Sequence, residues 1–178
     1  MGGRIGVLAF AIASFAGSQV AAQSRPVEIG LDAGFSTQLK DPKFSRIGIP
    51  LQRLRIGFFA SDQVEVEPAV ALNWLKPSGD DALTTLTGSL GVLVHFNAEA
   101  AKARPYVRPF AGLTYASFGG DSESRFNAGA GLGVKLPIGT VERLAMRIEG
   151  GFTHSFKKDL LPASDEIHLT FGFSFLTK

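Results

Sequence analysis

The sequence predicts an all-β fold: an eight-stranded, antiparallel, up-and-down transmembrane β-barrel. Three observations predict it. After Arg25 the apolar residues recur with a period of two, the mark of strands with one apolar face. The alternating segments number eight, an even count that suits a closed antiparallel barrel with both chain ends on one side. They are also long, about 10 residues or more, enough to cross the hydrocarbon layer at a barrel's tilt, whereas soluble strands average ~5–6.

The chain opens with a segment that is not fold. Arg4 supplies a short positive region and Ile5 to Ala16 an apolar run too short for a spanning helix, and Val20, Ala21 and Ala22 are the small residues a signal peptidase requires. Residues 1–22 are expected to be a cleaved signal peptide, with Gln23 the first residue of a single barrel domain over 23–178.

The strands follow in order, at about 26–37, 51–60, 63–75, 83–96, 105–118, 126–137, 143–156 and 165–176. In the first, Val27, Ile29, Leu31, Ala33 and Phe35 alternate with Glu28, Gly30, Asp32, Gly34 and Ser36. The second sets Leu54, Ile56 and Phe58 against Arg53, Arg55 and Gly57, and the third sets Val64, Val66, Val70 and Leu72 against Glu65, Glu67, Ala69 and Ala71. In the fourth, Leu90, Val92, Val94 and Phe96 alternate with Ser89, Gly91 and His95; in the fifth, Val107, Ala111 and Leu113 with Arg108, Phe110 and Gly112. The sixth alternates Ala128, Ala130, Leu132 and Val134 with Gly129, Gly131, Gly133 and Lys135; the seventh, Met146, Ile148 and Phe152 with Arg147, Glu149 and Gly151. The eighth alternates Ile167, Leu169, Phe171, Phe173 and Phe175 with Glu166, His168, Thr170, Gly172 and Ser174.

The face opposite the apolar one carries Gly, Ser, Thr and a nearly balanced charge set: Glu28, Asp32, Arg53, Arg55, Glu65, Glu67, Arg108, Lys135, Arg147, Glu149 and Glu166. Such a set predicts a plugged lumen of mutually compensating charges, because a barrel of eight strands is only wide enough for its own side chains. Glycines at alternate positions, as at 129, 131 and 133, leave room for long Arg and Glu neighbours. The pair Glu65-x-Glu67 against Arg53-x-Arg55 is the leading cross-strand ion-pair candidate, and the apolar faces are expected to carry no charge. Pro68 and Pro109 fall inside strands, where a missing N–H predicts a bulge.

Short connections at 61–62, 97–104 and 138–142 are expected on the periplasmic side, and 37–50, 76–82, 119–125 and 157–164 outside. Aromatics then fall at two levels, with Phe35, Trp74, Tyr115, Phe118, Phe126 and Phe156 near the outer rim and Phe58, Phe96, Tyr106 and Phe175 near the inner one. Asp80-Asp81 and Asp121-x-Glu123 would be solvated turns.

Several function classes are excluded. There is no cysteine, hence no disulfide, thiolate catalysis or lipoprotein anchor. Loss of Arg4 leaves 17 of the 18 basic residues against 16 acidic ones, so the chain has no nucleic-acid footprint. The Gly129-x-Gly131-x-Gly133 spacing is not a dinucleotide loop, since no helix follows it. His95 and His168 face the lumen on separate strands; no metal and no cofactor is expected.

Over the whole mature chain the sequence resembles the small outer-membrane β-barrels, the OmpA transmembrane domain and OmpX-like proteins. The resemblance rests on RPYVRPFAGLTY at 104–115, the Gly-rich strand at 129–135, LAMRIEG at 144–150 and LTFGFSF at 169–175. The last is similar to the signal read by the barrel-assembly machinery, though Leu176, Thr177 and Lys178 follow Phe175. The resemblance implies a non-enzymatic monomer in the outer membrane. Its implied partners are outer-membrane lipid, lipopolysaccharide and the assembly machinery. Its role would be structural or in surface interaction, with no cell-wall tether because no peptidoglycan-binding domain follows.

One other resemblance bears on chemistry. Outer-membrane lipid A deacylases carry a late His-x-Ser pair and a Glu on the next strand, and His154, Ser155 and Glu166 resemble that set. Here His154 and Ser155 are adjacent, so a strand turns them to opposite faces, and Phe156 replaces the family's Asn. Catalysis is therefore not expected. The remaining alternative is a soluble, lipocalin-like periplasmic carrier with its apolar faces turned inward.

Overall fold

The computed structural model describes residues 25–39, 45–75, 83–98, 102–118, 121–139, 141–158 and 163–177; the expected signal peptide and Asp80-Asp81 lie outside them. Eight strands follow one another: β1 (Val27–Gln38), β2 (Ser45–Phe59), β3 (Val64–Leu75), β4 (Leu83–His95), β5 (Arg104–Phe118), β6 (Asp121–Ile138), β7 (Val141–Ser155) and β8 (Ser164–Leu176). Each pairs antiparallel with the next, and β1 closes on β8 from Glu28↔Leu176 to Gln38↔Glu166. No strand edge is left open. The end bearing β1's start and β8's finish is called the near end below, and the opposite one the far end.

Two strands begin well before the expected starts at about 51 and 126. β2 starts at Ser45, and its outer part pairs with β1 (Thr37↔Ser45, Phe35↔Ile47) after a register shift between Asp32 and Gly34. β6 starts at Asp121, and the β5–β6 hairpin runs on through Tyr115↔Ser124 to Phe118↔Asp121. Asp121 and Glu123 are thus strand residues, not loop residues. The β6 extension (DSESR at 121–125) is polar at every position, as strand beyond the apolar zone can be, so an alternation of hydrophobicity does not reveal it.

Neither Pro68 nor Pro109 makes a bulge; the register shift beside a proline is at Pro137, between β6 and β7. The β2–β3 ladder is interrupted between Arg55↔Ala69 and Phe58↔Val66, around Pro68, with the same residue count on both strands. The β4–β5 ladder is interrupted in the same way around Pro109, between Gly91↔Phe110 and Val94↔Val107. Each proline lacks the N–H that one neighbour would receive, keeps its register, and pairs on its other side with Leu90 or Ala130.

The molecule is polar inside and apolar outside. Buried polar or charged residues include Glu28, Arg55, Glu65, Glu67, Arg108, Arg147 and Glu149, while only Ala69, Leu93 and Tyr106 are buried hydrophobics among the described residues. The exterior is a continuous belt of large apolar side chains, with Leu132 67 %, Leu72 60 % and Leu90 49 % exposed. Soluble monomers rarely expose apolar patches beyond a few hundred Å², and a soluble carrier would turn these faces inward. The belt is the surface of a barrel whose solvent is lipid.

Candidate functional site

The near half of the lumen is filled by one network of ion pairs, because the strand period sends every second residue inward and the sequence places its charges on that parity. At the near end, Lys135 Nζ donates to Glu28 Oε2 at 2.6 Å and to Glu65 Oε2 at 2.7 Å. His95 Nε2 lies 3.0 Å from the same Glu65 oxygen. Arg104 closes this end, donating to the backbone carbonyls of Asp62 (2.7 Å) and Asn97 (3.3 Å) with its guanidinium 5.3 Å from the centre of the Phe59 ring.

Above that layer, Arg55 donates through Nε to both Asp32 oxygens at 3.0 Å, through Nη1 to Glu28 at 2.6 Å and through Nη2 to Ser174 Oγ at 2.8 Å. Arg147 donates to Glu67, to Glu149 Oε2 at 2.5 Å and to the Tyr106 hydroxyl at 2.6 Å, and that hydroxyl donates onward to Glu149 at 2.8 Å. Arg108 grips Glu149 through two nitrogens, at 2.5 Å to Oε1 and 3.0 Å to Oε2. Glu149 therefore accepts from two guanidinium groups and a phenol while fully buried. Taking such charges out of water costs several kcal/mol per ion, and only this density of donors offsets it.

The glycines make the room. An added Cβ at Gly30 would overlap the Arg55 guanidinium, at Gly57 the Glu65 carboxylate, at Gly172 Asp32, and at Gly151 the His168 ring. Each long side chain lies over a neighbouring strand's glycine, which is why the two residue types share a parity.

Of the eleven charges assigned to the lumen from sequence, nine are buried: Glu28, Asp32, Arg55, Glu65, Glu67, Arg108, Lys135, Arg147 and Glu149. Arg53 is partly exposed and stands 4.0 Å from Glu149 Oε1. Glu166 is half-buried toward the far end, opposite Thr153 and Gln38, and forms none of these ion pairs. The expected ladder of Arg53 and Arg55 against Glu65 and Glu67 does not form as such. The β2–β3 register sets Glu65 opposite Phe59 and Arg55 opposite Ala69, so Arg55 turns mainly to Asp32 and Glu28, with Glu67 at 3.5 Å.

Tyr106, expected at the inner aromatic rim, is buried in the lumen instead. It shares the inward parity of Arg104 and Arg108, a signal that its aromatic character masks. Phe58, Phe96 and Phe175 at the near end, and Phe35, Tyr115, Phe126 and Phe156 at the far end, do face outward. The side chains of Trp74 and Phe118 lie outside the described residues.

The hydrolase-like residues are not brought together. His154 faces outward, about a third exposed, and its Nδ1 lies 2.6 Å from Asp165 Oδ1 on the neighbouring strand. Ser155 is buried on the inward face, and Glu166 also has the inward parity. The acid that meets His154 is thus Asp165, a charge on a face expected to have none. Glu28, Glu65 and Glu67 offer oxygens within 4.8 Å of one another, but Lys135, Arg55 and Arg147 already neutralise them, so the geometry does not ask for a metal.

No protein-family model matches the chain, and no curated protein sequence matches it. Solved structures do. The crystal structure of Neisserial surface protein A superposes with a TM-score of 0.64 at 14 % identity, covering 84 % of this chain and 96 % of that one. The solid-state NMR structure of outer membrane protein AlkL in lipid bilayers gives 0.54 at 12 % identity, covering 90 % and 94 %. At these identities the likeness is one of fold: the chain has the architecture of the small, eight-stranded outer-membrane-type barrels, as its sequence resemblance implied.

Proposed function

We propose that this protein is a non-enzymatic integral barrel of the outer membrane that acts in envelope structure or surface interaction through its far-end connections. The observation that carries the reading is the pairing of an uninterrupted apolar belt with a near half of the lumen closed by ion pairs among Glu28, Arg55, Glu65, Glu67, Lys135, Arg147 and Glu149. The belt needs lipid around it; the filled lumen argues against bulk solute flow. An outer-membrane setting is supported by the fold shared with a surface protein and an outer membrane protein. On this reading the chain works as a monomer. Its partners are outer-membrane lipid, lipopolysaccharide and, during insertion, the barrel-assembly machinery, with no nucleic acid involved.

The test is electrophoresis of the isolated outer-membrane fraction, unboiled and boiled, in detergent. A closed ladder held by a buried charge network survives detergent until heated, so recovery in that fraction with a mobility shift on boiling is expected. Recovery in the soluble fraction without a shift overturns the reading.

A further inference from the structure

The outward face of β7 changes character at one residue. From Leu144 to Phe152 every second residue, the lipid-facing set, is apolar or glycine. His154 comes next, ten residues beyond Leu144. At a strand rise of ~3.3 Å and a tilt of ~40° that distance is ~25 Å of height, the full depth of an apolar band. The paired strand repeats the count, from Phe175 opposite Leu144 to Asp165 opposite His154. His154 and Asp165 thus stand where hydrocarbon gives way to headgroups. Phe156 and Phe126, with ring centres 5.4 Å apart, form the aromatic collar at that level.

The His154 ring is held on two sides. Its Nδ1 lies 2.6 Å from Asp165 Oδ1, and the Phe156 ring stands edge-on to it at 4.7 Å. An ionised carboxylate only accepts, so Nδ1 carries a proton. Nε2, on the ring's other edge, has no hydrogen bond among the described residues, and the side chain is 35 % exposed. Proton uptake at Nε2 gives an imidazolium that Asp165 stabilises from behind and that offers one N–H to the headgroup layer. Lys157 and Lys158, the next cations along the chain, are exposed as well. The described residues from His154 to Lys158, together with Asp165, then carry a surplus of two positive charges.

We propose that this corner docks the phosphate monoester of a lipid headgroup in the leaflet at the far end. The His154 Nε2–H and the Lys157 and Lys158 ammonium groups take the phosphate, and the Phe126–Phe156 collar lies against the hydrocarbon below it. The inference rests on the proposed reading of the chain as a lipid-embedded barrel. A phosphate monoester carries a charge of about −1.5 to −2 near neutral pH, which matches that surplus better than a singly charged diester does.

The test uses the whole barrel in phosphatidylcholine nanodiscs, its three histidines (His95, His154, His168) labelled with ¹⁵N for NMR at constant pH and ionic strength. Phosphatidic acid, a lipid phosphate monoester, replaces the phosphatidylcholine in steps; phosphatidylglycerol, a diester, is the control at matched surface charge. Saturable movement of the His154 ring signals with phosphatidic acid is expected, with clearly less movement for phosphatidylglycerol and none of the buried, lumenal His95 and His168. The double variant Lys157→Gln/Lys158→Gln, changed only at exposed positions and checked for heat-modifiable mobility, should raise the midpoint at least fivefold. No saturable movement of His154, an equal response to phosphatidylglycerol, or an unaltered midpoint in the double variant overturns the proposal. Inorganic phosphate that moves His154 as far in plain phosphatidylcholine discs also overturns it, because the ligand is then a free anion and not a lipid. A chain that does not enter the discs with heat-modifiable mobility overturns the lipid-embedded reading itself, and the proposal with it.

Discussion

Arg108 on β5 and Glu149 on β7 meet at 2.5 Å although a whole strand separates them. The residue between, paired with Arg108 on one side and with Gly151 on the other, is Gly131. A Cβ there would stand 2.9 Å from the Glu149 carboxyl carbon. The contact is thus made over a strand that has been emptied for it. Gly131→Leu is expected to push Glu149 out of its donors and lower the urea midpoint of the refolded barrel by the equivalent of about 3 kcal/mol or more, the scale of a broken buried pair. Gly88, with nothing within 4 Å of its would-be Cβ, is the control; Gly88→Ala should shift the midpoint by no more than about 0.5 kcal/mol.

Glu149 itself is the densest node of the network. Glu149→Ala leaves Arg108 and Arg147 buried beside a missing carboxylate, with Tyr106 deprived of its acceptor. Removal of one member of a buried pair costs roughly 3–5 kcal/mol, more than the pair's net contribution, because the orphaned charge stays desolvated. Arg104→Ala, at the near-end mouth and hydrogen-bonded to backbone carbonyls beside a ring, with no carboxylate bonded to it, should cost clearly less. Equilibrium unfolding of the two variants in vesicles checks the order, and equal losses would refute it.

The strand count, the inward parity and the balance of charge were legible because a barrel imposes a period of two on every strand and lipid penalises charge on one face. The partners were not legible, because they depend on register. A tight β2–β3 turn sets Glu65 beside Phe59, and this sends Arg55 to β1. Parity read strictly would have placed Tyr106 inside with Arg104 and Arg108. The polar start of β6 and the outward Asp165 escaped for one reason: beyond the apolar zone, strand no longer needs an apolar face.

The exterior belt makes a prediction of its own. Leu90 lies midway along β4, opposite Pro68 and Ala111, and points outward at 49 % exposure. Leu90→Arg places a charge near the middle of the hydrocarbon, where it costs ~2–4 kcal/mol. The loss should appear in the unfolding free energy measured in vesicles. If the substitution proves neutral, the belt is not facing lipid at that depth.

Among the described residues, His154 and Asp165 form the one polar pair on the outward surface whose chemistry invites a catalytic interpretation, and the fold argues against it. A hydrolase of the deacylase kind needs its serine within reach of the histidine base. Ser155 is the residue after His154 on a regular strand, so it points into the lumen, away from any lipid that His154 meets. The partner of His154 is an acid, which orients a ring but cannot replace a nucleophile. His154→Ala and Ser155→Ala are therefore expected to leave the mass profile of lipid A unchanged in cells producing the protein. His154→Ala should also shift stability by no more than about 1 kcal/mol, as suits a half-exposed pair. A change in the number of acyl chains that depends on His154 would show instead that a nucleophile reaches the outward face from elsewhere.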